Sequence, residues 1–174
     1  YALPPRTVPQ PVRRPVIERR LPSHQWPDRD LRIVAIEAMT GTPRVFTAAD
    51  EVELVDAVAA SCAVPGVWPP VTIGDGRYID GGARSGTNLD LAQGCDVVVV
   101  IAPMPELPFA APDVVSGAEA VRASARVVTI TASDDALEAM GDNPLDPASA
   151  KPAALAGREQ AAAHVDEVRA VWSL

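Results

Sequence analysis

The stretch Gly76-Arg77-Tyr78-Ile79-Asp80-Gly81-Gly82 sets a single carboxylate where chemistry can use it. Arg77-Tyr78-Ile79 favours a β-strand, and Gly74-Asp75-Gly76 supplies a turn before it. Gly81-Gly82 then permits positive φ and close backbone approach. An aspartate at a strand end, followed by two residues without side chains, is open to a substrate or to a second catalytic group. It can serve as a general base toward a hydroxyl within hydrogen-bond reach. Alone, so short a motif favours the plainer role of a turn aspartate bonding its own backbone. Its flanks shift that balance.

Upstream runs Ala59-Ala60-Ser61-Cys62-Ala63-Val64-Pro65-Gly66-Val67-Trp68-Pro69-Pro70-Val71. Downstream come Ser85-Gly86-Thr87-Asn88-Leu89-Asp90-Leu91-Ala92 and then Asp96-Val97-Val98-Val99-Val100-Ile101. In this order and at these distances the segments closely resemble the C-terminal half of bacterial patatin-like phospholipases. The resemblance runs from about Trp26 to the C-terminus, takes in Asn143-Pro144-Leu145-Asp146-Pro147, and weakens over the first two dozen residues. It implies ester hydrolysis by a serine–aspartate dyad without a cofactor, with the aspartate of the D-G-G/A motif at Asp80. It also implies that the nucleophile elbow and the Gly/Arg-rich oxyanion loop lie N-terminal to everything in this sequence.

Acyl transfer to water needs a nucleophile, a base for its proton and donors for the oxyanion. A serine nucleophile sits on a strained strand-to-helix turn written G-x-S-x-G. None of the eight serines has glycine at both required positions. Ser85, in Gly82-Ala83-Arg84-Ser85-Gly86, comes nearest, but its spacing is wrong and it follows the Asp80 turn too closely to stand opposite it. The chain is thus expected to carry the base and lack the nucleophile. His24 lies in a proline-rich segment and His164 beside Val165, settings that suit surface or packing roles and a dyad without histidine. Gly74-Asp75-Gly76 has no dinucleotide or P-loop spacing. Asp134, Asp135, Asp142 and Asp146 lack the spacing of a calcium loop and suit caps and turns.

The elements that must position Asp80 follow from periodicity. Residues 1–30 hold seven prolines and six arginines, which predicts a solvated linker or lid with at most a short helix over Val16–Leu21, Pro15 in its first turn. Residues 31–174 are expected to form the C-terminal part of a patatin-like catalytic domain. Leu31–Glu37 and Arg44–Phe46 predict an antiparallel strand pair across Thr40-Gly41-Thr42-Pro43. A helix follows, with Asp50 as N-cap and Glu53 three residues on; Val55, Val58, Ala59 and Cys62 mark its buried face. After Asp80, Thr87 is expected to cap a short helix through Ala92. Val97–Ile101 and Arg126–Thr131 look like strands covered on both faces. Helices are expected around Val114–Val121, from Ser133 to Met140 with Gly141 as stop, and over Pro152–Trp172. This order predicts an α/β class, and the resemblance implies a layered, mostly parallel central sheet flanked by helices, here only its C-terminal portion.

Composition sets outer limits. The net charge of −8 argues against a nucleic-acid partner, and no apolar run approaches a membrane span. Cys62 and Cys95 suggest buried free thiols and a reducing compartment. The location is therefore expected to be cytoplasmic, with room for peripheral membrane contact through the amino-terminal arginines. Trp26, Trp68 and Trp172 are expected in core packing. A sequence that opens on Tyr1 within a family resemblance is expected to be a piece of a longer protein. Its expected partners are an N-terminal segment bearing the serine and a lipid or other ester substrate. The alternative is a non-catalytic binding or scaffolding module on the same fold. A G-x-S-x-G sequence ahead of Tyr1 in the parent gene separates the two.

Overall fold

A computed structural model describes residues 8–104, 114–143 and 146–172. Pro4, Pro5 and Arg6, the Pro144-Leu145 pair and Ser173 lie outside the described residues, as do the side chains of Val114 and Ala118. The described chain falls into two compact units, residues 8–88 and the remainder.

The first unit is one antiparallel sheet with two helices. Strands β1 (Ile33–Glu37), β2 (Pro43–Phe46), β3 (Val71–Ile73) and β4 (Gly76–Asp80) lie in the order β2-β1-β4-β3. The predicted β1–β2 pair forms, with Ile33 opposite Phe46. Gly74 and Asp75 make a two-residue hairpin loop between β3 and β4, and Gly74 takes φ +56° as the first turn residue requires. On the other side of β4, Ala35 stands opposite Asp80. Helix α2 (Leu54–Ser61) packs on β1, β3 and β4, with Leu54, Val55, Ala57, Ala59 and Ala60 all buried. Its alanines, and Ala63 beyond them, let the helix come close to the sheet; Phe46 and Tyr78 close the core edge to face, 5.2 Å between ring centres.

Two expectations in this unit change. Asp50 is not the helix N-cap: its Oδ2 accepts from Thr47 N and Oγ1 and its Oδ1 pairs with Arg44, so the helix begins only after Glu53. Helix α1 (Gln10–Glu18) starts five residues before Pro15 and runs through it. An interior proline weakens a helix; burial of Arg13 and Ile17 and packing on α2 offset that cost. Solvation therefore fails as a description of Arg13 and Arg14, whereas Arg19, Arg20 and Arg29 are exposed as expected. Arg13 is 5% exposed, and Arg14 pairs with Asp56 and Glu53.

The second unit carries the parallel pairing. Strands β5 (Val97–Ala102) and β6 (Arg126–Thr131) align in parallel from Val97–Arg126 to Ala102–Thr131, joined through helix α3 (Val114–Ser124). Leu89, Val100, Ala102 and Val121 form its core. Helix α4 (Asp134–Met140) is capped as expected by Ser133 Oγ, which accepts from Ala136 N, and ends at Gly141 with φ +67°. The long helix α5 (Ala150–Trp172) buries no residue, and Trp172 is exposed rather than in the core. Nor are the strands covered on both faces: Ile101 is 74% exposed between the buried Val100 and Ala102. Its face opens into an apolar cavity of about 420 Å³ lined by β5, β6, α4 and α5. The class is mixed α/β; among the described residues parallel pairing is confined to β5–β6, and the larger sheet is antiparallel.

Candidate active site

Asp80 ends β4 and starts a 3₁₀ turn over Gly81–Ala83. Its Oδ1 accepts from Gly82 N at 2.7 Å, so the turn fixes the carboxylate while one oxygen remains for another donor. The backbone contact of a turn aspartate is thus present and compatible with a chemical role. Asp80 N donates to Ala63 O at 3.1 Å, tying the strand end to the segment that leaves α2. Burial raises the Asp80 pKa above the ordinary carboxylate range, and the Gly82 N–H and the Arg13 charge oppose that rise.

Gly81 needs to be glycine for closeness rather than for positive φ. It is buried in a right-handed turn, and a Cβ there would lie 2.9 Å from the Val34 carbonyl carbon. Beyond it, Ser85 is wholly buried and its Oγ accepts from Asn88 N at 2.7 Å and Thr87 N at 3.2 Å. Ser85, not Thr87, therefore organises this turn. Asn88, at φ +47°, donates through Nδ2 to Ser85 O and Gly81 O, and its Oδ1 accepts from Arg84. The loop after Asp80 is consequently held by its own side chains.

Arg13 is the site residue that the sequence did not reveal. Its Nη1 donates to Ala59 O at 3.1 Å and its Nη2 to Cys62 O at 2.6 Å, and the guanidinium lies 4.8 Å from the centre of the Trp68 ring. It thereby satisfies carbonyls that the end of α2 leaves without intrahelical partners, with a cation at the favoured helix end. Burial lowers its pKa, while Cys62 and Asp80 pull it back up. The available signal was its position four residues before Ile17, on the same helical face as an apolar anchor.

The remaining candidates have local duties. His24 Nε2 lies 2.9 Å from Glu18 O, and His164 Nδ1 lies 3.1 Å from Glu167 on its own helix. Both cysteines are free and exposed, which corrects the expectation of buried thiols. Their alanine and glycine neighbours made them look internal, but Cys62 follows the last turn of α2 and Cys95 follows Gly94 in an exposed turn. Among the described residues no group of acidic, histidine or cysteine side chains could hold a metal, and no helix is long and apolar enough to cross a membrane.

A search of curated proteins finds no match. The family model described as patatin-like phospholipase matches residues 3–92. The match takes in the amino-terminal segment, where the resemblance in the sequence fades, and ends ahead of β5. It holds α1, α2, the whole antiparallel sheet and the Asp80 turn. With 90 of 174 residues matched, the chain belongs to the patatin-like phospholipase family.

Proposed function

We propose that Asp80 is the base of a serine–aspartate dyad that hydrolyses a carboxylic ester, with a lipid as the substrate class that the family suggests. The observation that carries this reading is the Asp80-Gly81-Gly82 turn: a partly buried carboxylate at a strand end, held by one backbone N–H, inside the stretch that matches the family. The serine belongs, in this reading, to a G-x-S-x-G segment N-terminal to the residues given, since none of the serines here has that setting.

The chemistry follows from those parts. Asp80 accepts the serine proton as the hydroxyl oxygen attacks the ester carbonyl. It then returns that proton to the departing alkoxide, leaving an acyl-enzyme. Water attacks next, its proton again taken by the carboxylate, and the acid is released with the serine restored. A base made stronger by burial suits both half-reactions.

The test uses the complete protein, a p-nitrophenyl ester and a fluorophosphonate probe. Asp80→Asn is expected to fold normally and lose roughly two to four orders of magnitude in turnover. The Asp75→Asn control, altered in the hairpin loop, should keep its activity. Near-normal turnover in folded Asp80→Asn would remove Asp80 from the mechanism. A complete protein that the probe never labels would favour a binding module on this fold.

A further inference from the structure

We infer that Arg13 is a positioning residue for Asp80, acting through the carboxyl end of α2; the inference rests on the proposed role of Asp80. Arg13 reaches 46 and 49 residues along the sequence to hold Ala59 O and Cys62 O. The next carbonyl, that of Ala63, receives the Asp80 N–H at 3.1 Å. One buried guanidinium thus fixes the carbonyls beside the anchor of the strand end that carries the carboxylate. The same group rests on Trp68, in the loop that leads into β3, the hairpin partner of β4. Helix end, loop and strand end are fastened at a single point.

Charge gives a second link. The groups that face Asp80 electrostatically are Arg13 from α1 and the Cys62 thiol after α2; Arg20 acts in turn on Arg13 and Cys62. From β1 the residue opposite is Ala35, which does not titrate, and from the turn comes the Gly82 N–H. Arg13 is therefore the cation that opposes the burial of the Asp80 carboxylate. A guanidinium suits this duty better than an ammonium because its planar fork serves two carbonyls while stacked on a ring.

The experiment follows Asp80 itself in the complete protein, with carboxyl and amide NMR signals assigned by difference against Asp80→Asn. In Arg13→Gln the Asp80 carboxyl should titrate upward by about half a pH unit or more. The acid limb of kcat/KM should move up with it, and kcat should fall roughly ten- to hundred-fold. Arg13→Lys keeps the charge but loses the fork, so the titration should stay near wild type. Its Asp80 amide should nevertheless exchange with solvent about ten-fold faster. An unchanged Asp80 titration in Arg13→Gln overturns the inference. If that variant does not fold, an unchanged Asp80 amide exchange rate in Arg13→Lys overturns it instead. Full turnover in Asp80→Asn would sink the dyad reading alone, because both NMR readouts report Arg13 acting on Asp80 whether or not Asp80 is catalytic.

Discussion

Gly81 lies against the backbone of Val34, so that a Cβ on the glycine would come 2.9 Å from the Val34 carbonyl carbon and closer still to its oxygen. The obstacle is backbone of the central strand β1 and cannot swing aside as a flexible side chain would. Gly81→Ala should therefore destabilise the protein by about 1–3 kcal/mol through overpacking, and Gly81→Val by more. Because the displaced turn carries the Asp80 carboxylate, ester turnover should drop along with the melting temperature. Thermal unfolding followed by circular dichroism checks the first effect, and unchanged melting in Gly81→Val would mean the turn has room that the structure denies.

Asp80→Asn makes a second prediction, about stability and pH. Burial raises the folded-state pKa of Asp80 above the ordinary value near 3.9. Between the unfolded and folded values the folded protein binds more protons, so this group lowers stability as pH rises through that window. The penalty is complete above the folded pKa and absent below the unfolded one. An asparagine can still accept from Gly82 N without carrying charge, so the variant should melt higher than wild type at pH 7. The gap should close as the pH falls below the carboxylate range. A variant that melts lower at pH 7 would show that the charge, and not only the acceptor oxygen, holds the turn.

Ser85 offers a test of which serines are structural. Its Oγ is wholly buried and accepts from two backbone N–H groups, those of Thr87 and Asn88. Ser85→Ala leaves both donors without that partner, at a cost of about 1–3 kcal/mol. It should leave fluorophosphonate labelling of the complete protein intact under conditions where the variant is folded. Loss of labelling in a folded Ser85→Ala protein would make Ser85 the nucleophile and contradict the proposed mechanism.

The elements themselves were largely legible. Strand-forming and turn residues located β1, β2 and β4, whereas β3 went unread beside the prolines that precede it, and a serine and a glycine bounded α4. Asp80 stood out because a strand pattern stops on it and two glycines follow. What failed to show was long-range burial. Arg13 looked like one more charge in a polar, proline-rich stretch, and only the folded chain brings Ala59 and Cys62 to it. The valine runs of β5 and β6 suggested strands covered on both faces, yet one face holds Ile101 open. A run of apolar residues records what a strand can bury, and the partner that buries it is set by topology. Likewise Asp50 had a capping-box spacing, but its nearer neighbour Thr47 claims the carboxylate first.

Gln160 makes the last prediction, within the second unit. Its Nε2 donates to Thr131 O at 2.6 Å and its Oε1 accepts from Ser133 N at 3.1 Å, so one amide side chain bonds the backbone on both sides of Ala132. Because α5 buries no residue of its own, this pair of bonds is a principal tie between the helix and the end of β6. Gln160→Glu keeps the size and the acceptor but sets a carboxylate oxygen against Thr131 O. The glutamate pKa should therefore rise in the folded state, and the variant should lose stability as pH increases through the carboxylate range. Protonation below that range restores a donor and with it most of the wild-type stability. At neutral pH the loss should be about 0.5–1.5 kcal/mol, a modest figure because the site is partly open to water. The sharper readout is the melting temperature against pH, which should fall below wild type at pH 7 and return toward it in acid. A Gln160→Glu protein that melts with wild type at pH 7 would mean that the bond to Thr131 O adds nothing to the hold on α5.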